Sequence, residues 1–138
     1  RRHTCLVRDW SSDVCSSGLG GAKDQGFQSA SAALQAHPDL AAIFAINDPS
    51  ALGAYTALEQ AKKVGQVKII GFDGELAGKQ AIKDGKFFAD PIQFPVKMGQ
   101  TSVQNIIKYL NGEEFEEMVL IPTYLYRKAD ADKDPELK

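Results

Sequence analysis

Short apolar runs alternate with segments of helical periodicity along most of this 138-residue chain, and no other feature of the sequence restricts the fold as strongly. Three apolar runs have the length of buried strands, at residues 40–46, 67–72 and 87–92. Apolar residues recur at helical spacing in the segments around them, at 25–37, 49–64, 76–83 and 96–110. This alternation predicts an α/β fold, with a Rossmann-like parallel sheet and flanking helices.

Single residues and short segments predict where the elements begin and end. Asp48 is a good N-cap and Pro49 suits the first position of the second helix, which Gly65 ends. The continuous apolar run at 40–46 predicts a strand that is covered on both faces. The C-terminal part adds two short extended segments and a charged, frayed tail, at 118–121, 124–126 and 129–138.

The first twenty residues lack this periodicity. Residues 9–17, Asp-Trp-Ser-Ser-Asp-Val-Cys-Ser-Ser, match the translation of a common sequencing-library adapter. We therefore expect 1–21 to be a non-native, disordered segment, and a divergent natural extension is the alternative. Resequencing the source locus with different adapters separates the two. Both cysteines, Cys5 and Cys15, lie in this segment, so they carry no information on the redox compartment.

Composition and charge argue against several classes of protein. The formal net charge is −2 and the charges are scattered, whereas a nucleic-acid-binding protein needs a clustered basic face. The longest apolar run, at 40–46, is far shorter than the roughly 20 residues that cross a membrane. The sequence shows neither a phosphate-binding glycine motif nor a base paired with a nucleophile. We therefore expect no catalytic residues, no metal site and no cofactor.

A polar residue follows each of the three predicted strands at the point where the strand ends: Asn47, Asp73 and Gln93. Ligands of open parallel α/β sheets bind beyond these carboxyl ends. Carboxylates accept hydrogen bonds from hydroxyls, and amides both donate and accept, which suits a polyhydroxylated neutral ligand such as a sugar. Phe72 adjoins Asp73 and is a further candidate at the edge of the pocket.

Each of these residues also has a purely structural interpretation. Asn47 is equally suited to starting the second helix, and Asp73 followed by Gly74 is a common turn dipeptide. Gln93 alone is uninformative. Their joint position at three successive strand ends favours a binding site.

Five motifs between residues 22 and 128 keep a characteristic order and spacing. They are His37-Pro38-Asp39, Ile43-Phe44-Ala45-Ile46-Asn47-Asp48, Ile70-Gly71-Phe72-Asp73-Gly74, Ala81-Ile82-Lys83-Asp84-Gly85 and Ile92-Gln93-Phe94-Pro95. Together they resemble the sugar-binding proteins of bacterial ABC importers, the ribose-binding type of the type I periplasmic binding proteins. The resemblance implies a bilobed, hinged protein that closes around one sugar, with Asn47, Asp73 and Gln93 as sugar ligands.

The same resemblance implies how the chain is divided. Residues 22–93 correspond to part of the C-terminal lobe, 94–122 to a helix and strand of an absent N-terminal lobe, and 123–138 to the crossover back and a charged tail. A full family member is much longer, so we expect a truncated fragment that binds sugars weakly or not at all. The apolar stripe of the helix at 96–110 is expected to self-associate; it consists of Val96, Val103, Ile106, Ile107 and Leu110.

The resemblance also implies the partners and the location of the parent protein. The partners are a pentose or hexose and an ABC permease in the membrane, and the location is the periplasm or, for a lipoprotein, the outside of the cell. The alternative function is the sugar-sensing domain of a LacI-type transcription regulator, which shares the fold. A flavodoxin-like or receiver-type enzyme is a third class, but it needs an acidic cluster near Asp73, where only Glu75 is close.

Overall fold

The computed structural model describes residues 21–137. All of the predicted non-native segment except Gly21 therefore lies outside the described residues. The elements follow in the order α1 (Lys23–Ala36), β1 (Ala42–Phe44), α2 (Asp48–Gln60), β2 (Lys68–Ile70), α3 (Leu76–Lys83), β3 (Asp90–Ile92), α4 (Pro95–Leu110), β4 (Tyr124–Tyr126) and α5 (Lys128–Ala131). In this part of the chain, no helix combines the length and apolarity needed to cross a membrane.

The strands lie side by side in the order β1-β2-β3-β4. β1 pairs with β2 in parallel, and β3 pairs with β4 antiparallel. Parallel bridges from Ile70 to Ala89 and from Asp73 to Ile92 connect β2 with β3. The predicted α/β fold with a parallel sheet is confirmed, and β4 adds an antiparallel strand to it.

The hydrophobic core lies between the helices and the sheet. Its largest fully buried apolar side chains are Leu58 of α2, Ile69 of β2 and Ile82 of α3. Burying one such side chain contributes about 1.5–3 kcal/mol. These residues come from three consecutive elements, so the core joins two helices to the strand between them.

Two glycines allow α1 and α2 to pack closely. A Cβ atom at Gly26 would lie 2.2 Å from the carbonyl oxygen of Ser50, and one at Gly53 would lie 1.9 Å from that of Lys23. Only glycine permits such close approach of two helix backbones.

Two predicted boundaries of α2 are wrong. The N-cap is Asn47 and not Asp48, since Oδ1 of Asn47 accepts a hydrogen bond from the N–H of Ser50 at 3.1 Å. α2 also ends before Gly65, because Lys62 already adopts a left-handed conformation with φ of 56°.

Two predictions about extended segments are also wrong. β1 is not covered on both faces, since Phe44 is 44% exposed and Ile46 is 67% exposed. The second is the extended segment at 118–121, which forms no strand in the described chain. Apolar character alone predicted both, and it does not reveal whether a neighbouring element is present to cover or pair with the segment.

The C-terminal segment packs against α3, so the prediction of a frayed tail is wrong. Leu137 is buried in the core. The hydroxyl of Tyr126 donates to Asp134 at 2.7 Å, and Nζ of Lys79 lies 3.3 Å from Asp134 and 2.9 Å from Glu136. Charges that suggest solvent exposure in the sequence are here partners of a lysine on α3.

Helix α4 carries an exposed apolar stripe. None of its sixteen residues, all of which the structure describes, is buried. The exposed fractions of the predicted stripe residues lie between 52% and 74%, for Ile107 and Leu110 respectively. Contiguous apolar surface of this kind marks an interaction site or a tendency to associate.

We expect the chain to self-associate through α4. Replacing Ile106 by Glu and Leu110 by Lys removes two stripe residues and places an acidic residue four positions before a basic one, which favours the helix. Sedimentation velocity should show oligomers of the unchanged chain and a monomer of the double variant. Asn105→Asp, which adds a charge on the side of the helix opposite the stripe, should leave the oligomers intact. A monomeric unchanged chain at all concentrations would contradict the expectation.

Candidate functional site

The three predicted site residues lie at the same edge of the sheet. Asn47 follows β1, Asp73 follows β2 and Gln93 follows β3, and all three are partly buried. Because β1, β2 and β3 run in parallel, their carboxyl ends meet at one edge, where ligands of α/β sheets bind.

Asp73 and Gln93 are in direct contact. Nε2 of Gln93 donates a hydrogen bond to Oδ1 of Asp73 at 2.5 Å. Their backbones are also paired, since the N–H of Gln93 donates to the carbonyl of Asp73 at 3.0 Å. This arrangement leaves Oδ2 of Asp73 and Oε1 of Gln93 as acceptors for a ligand.

Asp73 has an unusual backbone conformation. Its φ is 106°, and the φ of the following Gly74 is 78°. A positive φ at a non-glycine residue costs on the order of 1–3 kcal/mol and is concentrated at functional sites. A Cβ atom at Gly74 would lie 2.1 Å from Cγ2 of Ile92, so the loop passes close to β3.

Asn47 uses most of its side chain to begin α2. Its Oδ1 accepts hydrogen bonds from the N–H of Ser50 at 3.1 Å and from the Ser50 hydroxyl at 2.7 Å. Its Nδ2 lies beside Gly21, where a Cβ atom would come within 1.9 Å. The N–H groups of Nδ2 are therefore the only part of this side chain that capping leaves for a ligand.

Phe72 contributes an aromatic ring next to Asp73. It packs edge-on against Phe44, with 6.2 Å between ring centroids and an interplanar angle of 66°. Phe44 is exposed. The aromatic pair lies beside the strand ends that carry the polar residues.

Two buried carboxyl groups lie behind this edge, and the sequence interpretation missed them. Asp48 at the start of α2 and Asp90 at the start of β3 are both 0% exposed. Oδ2 of Asp48 accepts a hydrogen bond from the N–H of Glu75 at 2.7 Å. Within the described residues, Oδ1 of Asp48 and both carboxyl oxygens of Asp90 have no hydrogen-bond partner at ordinary distance, although the backbone N–H of Gly74 is near enough to oppose the rise in the pKa of Asp90. An aspartate inside the apolar run at 87–92 is the signal in the sequence, because an unpaired charge is rare in a buried strand.

Burial raises the pKa of both carboxyl groups. For Asp90, burial and then the neighbouring charge of Asp48 raise the pKa to about 8. Burial is also the main cause of the raised pKa of Asp48, and the Glu75 N–H partly opposes it. The Asp48 charge thus favours the protonated form of Asp90, whereas the hydrogen bond with Asp90 favours the charged form of Asp48.

Two further features bear on the kind of site. A shallow cavity of about 450 Å³ lies between α1 and α2, and its lining includes none of the predicted site residues; it is lined by Lys23, Asp24, Phe27, Gly53 and Thr56. Within residues 21–137, no group of three or more histidine, cysteine, aspartate or glutamate residues is placed to hold a metal ion.

Comparison with known proteins gives the family. A model described as a periplasmic binding protein domain matches residues 13–114. This chain belongs to the periplasmic binding protein family. The matched range includes residues 13–20 of the segment predicted to be non-native, and that assignment remains a prediction.

The chain resembles ribose-binding members of this family. It is 42% identical over 90 residues to the D-ribose/D-allose-binding protein of Pseudomonas aeruginosa, which covers 65% of this chain and 28% of the relative. It is 47% identical over 81 residues to the ribose import binding protein of Salmonella typhimurium, which covers 59% of this chain and 27% of the relative. The matched part of this chain therefore spans less than a third of the length of either relative.

Solved structures of periplasmic binding proteins have the same fold. An ABC transporter periplasmic solute binding protein from Actinobacillus succinogenes, with bound D-allose, superimposes with a TM-score of 0.76 at 27% identity. The match covers 83% of this chain and 40% of that protein. The resemblance inferred from the five motifs is confirmed.

Proposed function

We propose that this chain is part of the sugar-binding component of an ABC import system and that Asp73 and Gln93 bind sugar hydroxyls. The hydrogen bond between these two residues at the carboxyl edge of the sheet is the observation that carries the proposal. Relatives described as binding D-ribose and D-allose support the ligand class.

Each side chain has a role that follows from its free atoms. Oδ2 of Asp73 accepts charge-assisted hydrogen bonds from sugar hydroxyls, while Gln93 holds the carboxylate in place and accepts through Oε1. The Nδ2 group of Asn47 donates to a sugar oxygen. Phe72 provides an apolar surface for the carbon face of the ring.

The parent protein, by the same proposal, is periplasmic and delivers a monosaccharide to an ABC permease. It carries no catalytic residues and requires no cofactor. The relatives reported above are described as import or sugar-binding proteins, which gives no support to the LacI-type alternative. The matched part of this chain spans less than a third of the length of either relative, and we expect the residues present to bind sugar weakly on their own.

The proposal is tested by titrating the chain with D-ribose and D-allose and recording NMR spectra. We expect dissociation constants of about 1 mM or weaker, equivalent to about −4 kcal/mol or less favourable. The largest shifts should fall on Asp73 and on the side-chain amide of Gln93. Sugar-induced shifts that avoid both residues, or no shifts at all, would overturn the proposed site, and micromolar affinity would contradict the expected weakness.

Asp73→Asn tests the contribution of the Asp73 charge to sugar binding. Asn tolerates a positive φ better than most residues, so the loop should keep its conformation. Losing one charge-assisted hydrogen bond of about 1.5–3 kcal/mol should weaken sugar binding at least tenfold. The exposed control Asp39→Asn, which removes an equal charge, should bind as the unchanged chain does.

A further inference from the structure

The buried carboxyl groups connect all three strand ends that carry the proposed ligands. Asp48 directly follows Asn47, and Asp90 starts the strand that leads to Gln93. Asp48 also holds the loop after Asp73, because its Oδ2 accepts from the N–H of Glu75 at 2.7 Å. One pair of side chains is thus linked to each of the three loops.

The surrounding chain is shaped to admit the Asp48 carboxyl group. A Cβ atom at Gly71 would lie 2.5 Å from Oδ1 of Asp48, and one at Gly78 would lie 2.2 Å from Oδ2. These two glycines come from the end of β2 and from α3. A carboxyl group enclosed by glycine backbone on two sides occupies a built position and is not a surface side chain that happens to be covered.

The unpartnered oxygens favour protonation of one carboxyl group. Three of the four carboxyl oxygens of the pair lack hydrogen-bond partners, and leaving a buried polar group unpaired costs far more than leaving an exposed one. The charged groups that act on the pair are Asp73 and Glu75 of the β2–α3 loop, both acidic. A single proton shared between Asp48 and Asp90 supplies a donor and removes one of the two buried charges.

We propose that Asp48 and Asp90 share one proton and act as a positioning pair that holds the Asp73–Glu75 loop in its sugar-binding conformation. The role rests on the proposed function of Asp73, whereas the shared proton does not. Protonated Asp90 donates to Oδ1 of Asp48, and the remaining Asp48 charge anchors the N–H of Glu75. Loss of the shared proton places two charges behind the loop, so the conformation of Asp73 becomes dependent on pH.

The proton is tested without sugar by following the side-chain carboxyl carbons of the full chain by NMR from pH 3 to pH 10. We expect Asp90 to titrate at least about two pH units above its ordinary value of 3.8. The amide of Glu75 and the carboxyl carbon of Asp73 should report the same transition. Independent titration of Asp48 and Asp90 near their ordinary values would overturn the proposal.

Two substitutions test whether Asp90 positions the Asp73–Glu75 loop or only fills space behind it. Asp90→Asn keeps a donor for Asp48 and should abolish the alkaline transition, with slow hydrogen exchange retained at Glu75. Asp90→Leu keeps the branched shape of the side chain, although it is larger, and has no donor; it should accelerate that exchange at least about tenfold. Equal protection of the Glu75 amide from hydrogen exchange in both variants would show that Asp90 only fills space, and would overturn the positioning role. If the Leu variant fails to fold, the carboxyl titration of the unchanged chain, read together with the Glu75 amide, decides.

Sugar binding is measured in its own experiment, so that failure of the proposed function can be distinguished from failure of the proposed Asp48–Asp90 pair. D-ribose affinity at pH 6 should exceed that at pH 9 in the unchanged chain, and this difference should disappear in Asp90→Asn. Absence of sugar binding at both pH values counts against the proposed function, while the carboxyl titration still decides on the shared proton. If sugar binding does not depend on pH but Asp90 still titrates at alkaline pH, the positioning role is overturned and the shared proton stands.

Discussion

The free energy of unfolding of this chain is expected to fall as the pH rises from about 4 to about 8. Asp90 has a pKa raised to about 8 in the folded protein, against 3.8 for an ordinary aspartate. Between these values the folded state binds more protons than the unfolded state, so raising the pH favours unfolding. With about one extra proton bound, the slope is about 1 kcal/mol per pH unit, or on the order of 3 kcal/mol between pH 5 and pH 8.

Urea unfolding at several pH values measures this dependence, ideally in the Ile106→Glu, Leu110→Lys background that removes self-association. Asp90→Asn cannot titrate and should flatten the curve, whereas the exposed control Asp39→Asn should keep the slope of the unchanged chain. Stability that is constant or rises over this range would contradict a buried protonated carboxyl group.

Other aspartates act in a different pH range. Side-chain hydrogen bonds lower the pKa of the exposed Asp84 and of the half-buried Asp130 and Asp134. A lowered pKa gives stability that is present above the ordinary aspartate pKa and is lost as the pH falls through the folded value. Their contribution therefore falls below about pH 4 and has the opposite sign from that of Asp90.

Gly78→Ala is expected to destabilise the chain by about 2 kcal/mol. Alanine at a helix position normally stabilises by about 0.5–1 kcal/mol relative to glycine. At Gly78, however, the added methyl group would lie 2.2 to 2.5 Å from the Asp48 carboxyl, which is fully buried and cannot move into solvent. Overpacking of this kind typically costs about 1–3 kcal/mol and outweighs the gain in helix propensity.

Gly99→Ala is the matched control, since Gly99 is also helical but a Cβ atom there has nothing within 4 Å. It should stabilise the chain by about 0.5–1 kcal/mol, so the two substitutions should differ in sign. Thermal or urea unfolding of both variants checks this difference. Equal effects of both would show that the Asp48 carboxyl group is free to move aside.

Local patterns predicted much of the architecture. α3 was predicted at 76–83 and is found at Leu76–Lys83, because an apolar face and the Asp84-Gly85 stop are both local signals. The end of β3 at Ile92 was also predicted, whereas β1 and β2 end two residues before the predicted positions 46 and 72. The failures involve contacts between distant segments, as with Asp134 and Glu136, whose partner Lys79 lies on α3.

The candidate site shows the same division. The sequence indicated Asn47, Asp73 and Gln93 as strand-end residues, and the structure joins Asp73 to Gln93 while directing the oxygen of Asn47 to Ser50. Whether a helix begins one residue earlier or later depends on which side chain reaches the free N–H groups. That choice placed Asp48 in the interior and not at the cap.

By itself, the sequence determined the order of strands and helices, the sheet edge at which polar residues gather, and the chemistry of those residues, because each depends on periodicity and on neighbours along the chain. Only the tertiary structure decided that Asp48 and Asp90 meet, since they are brought together by the packing of α2 against the sheet. Burial determines the protonation of a carboxyl group, and burial is a property of the folded chain.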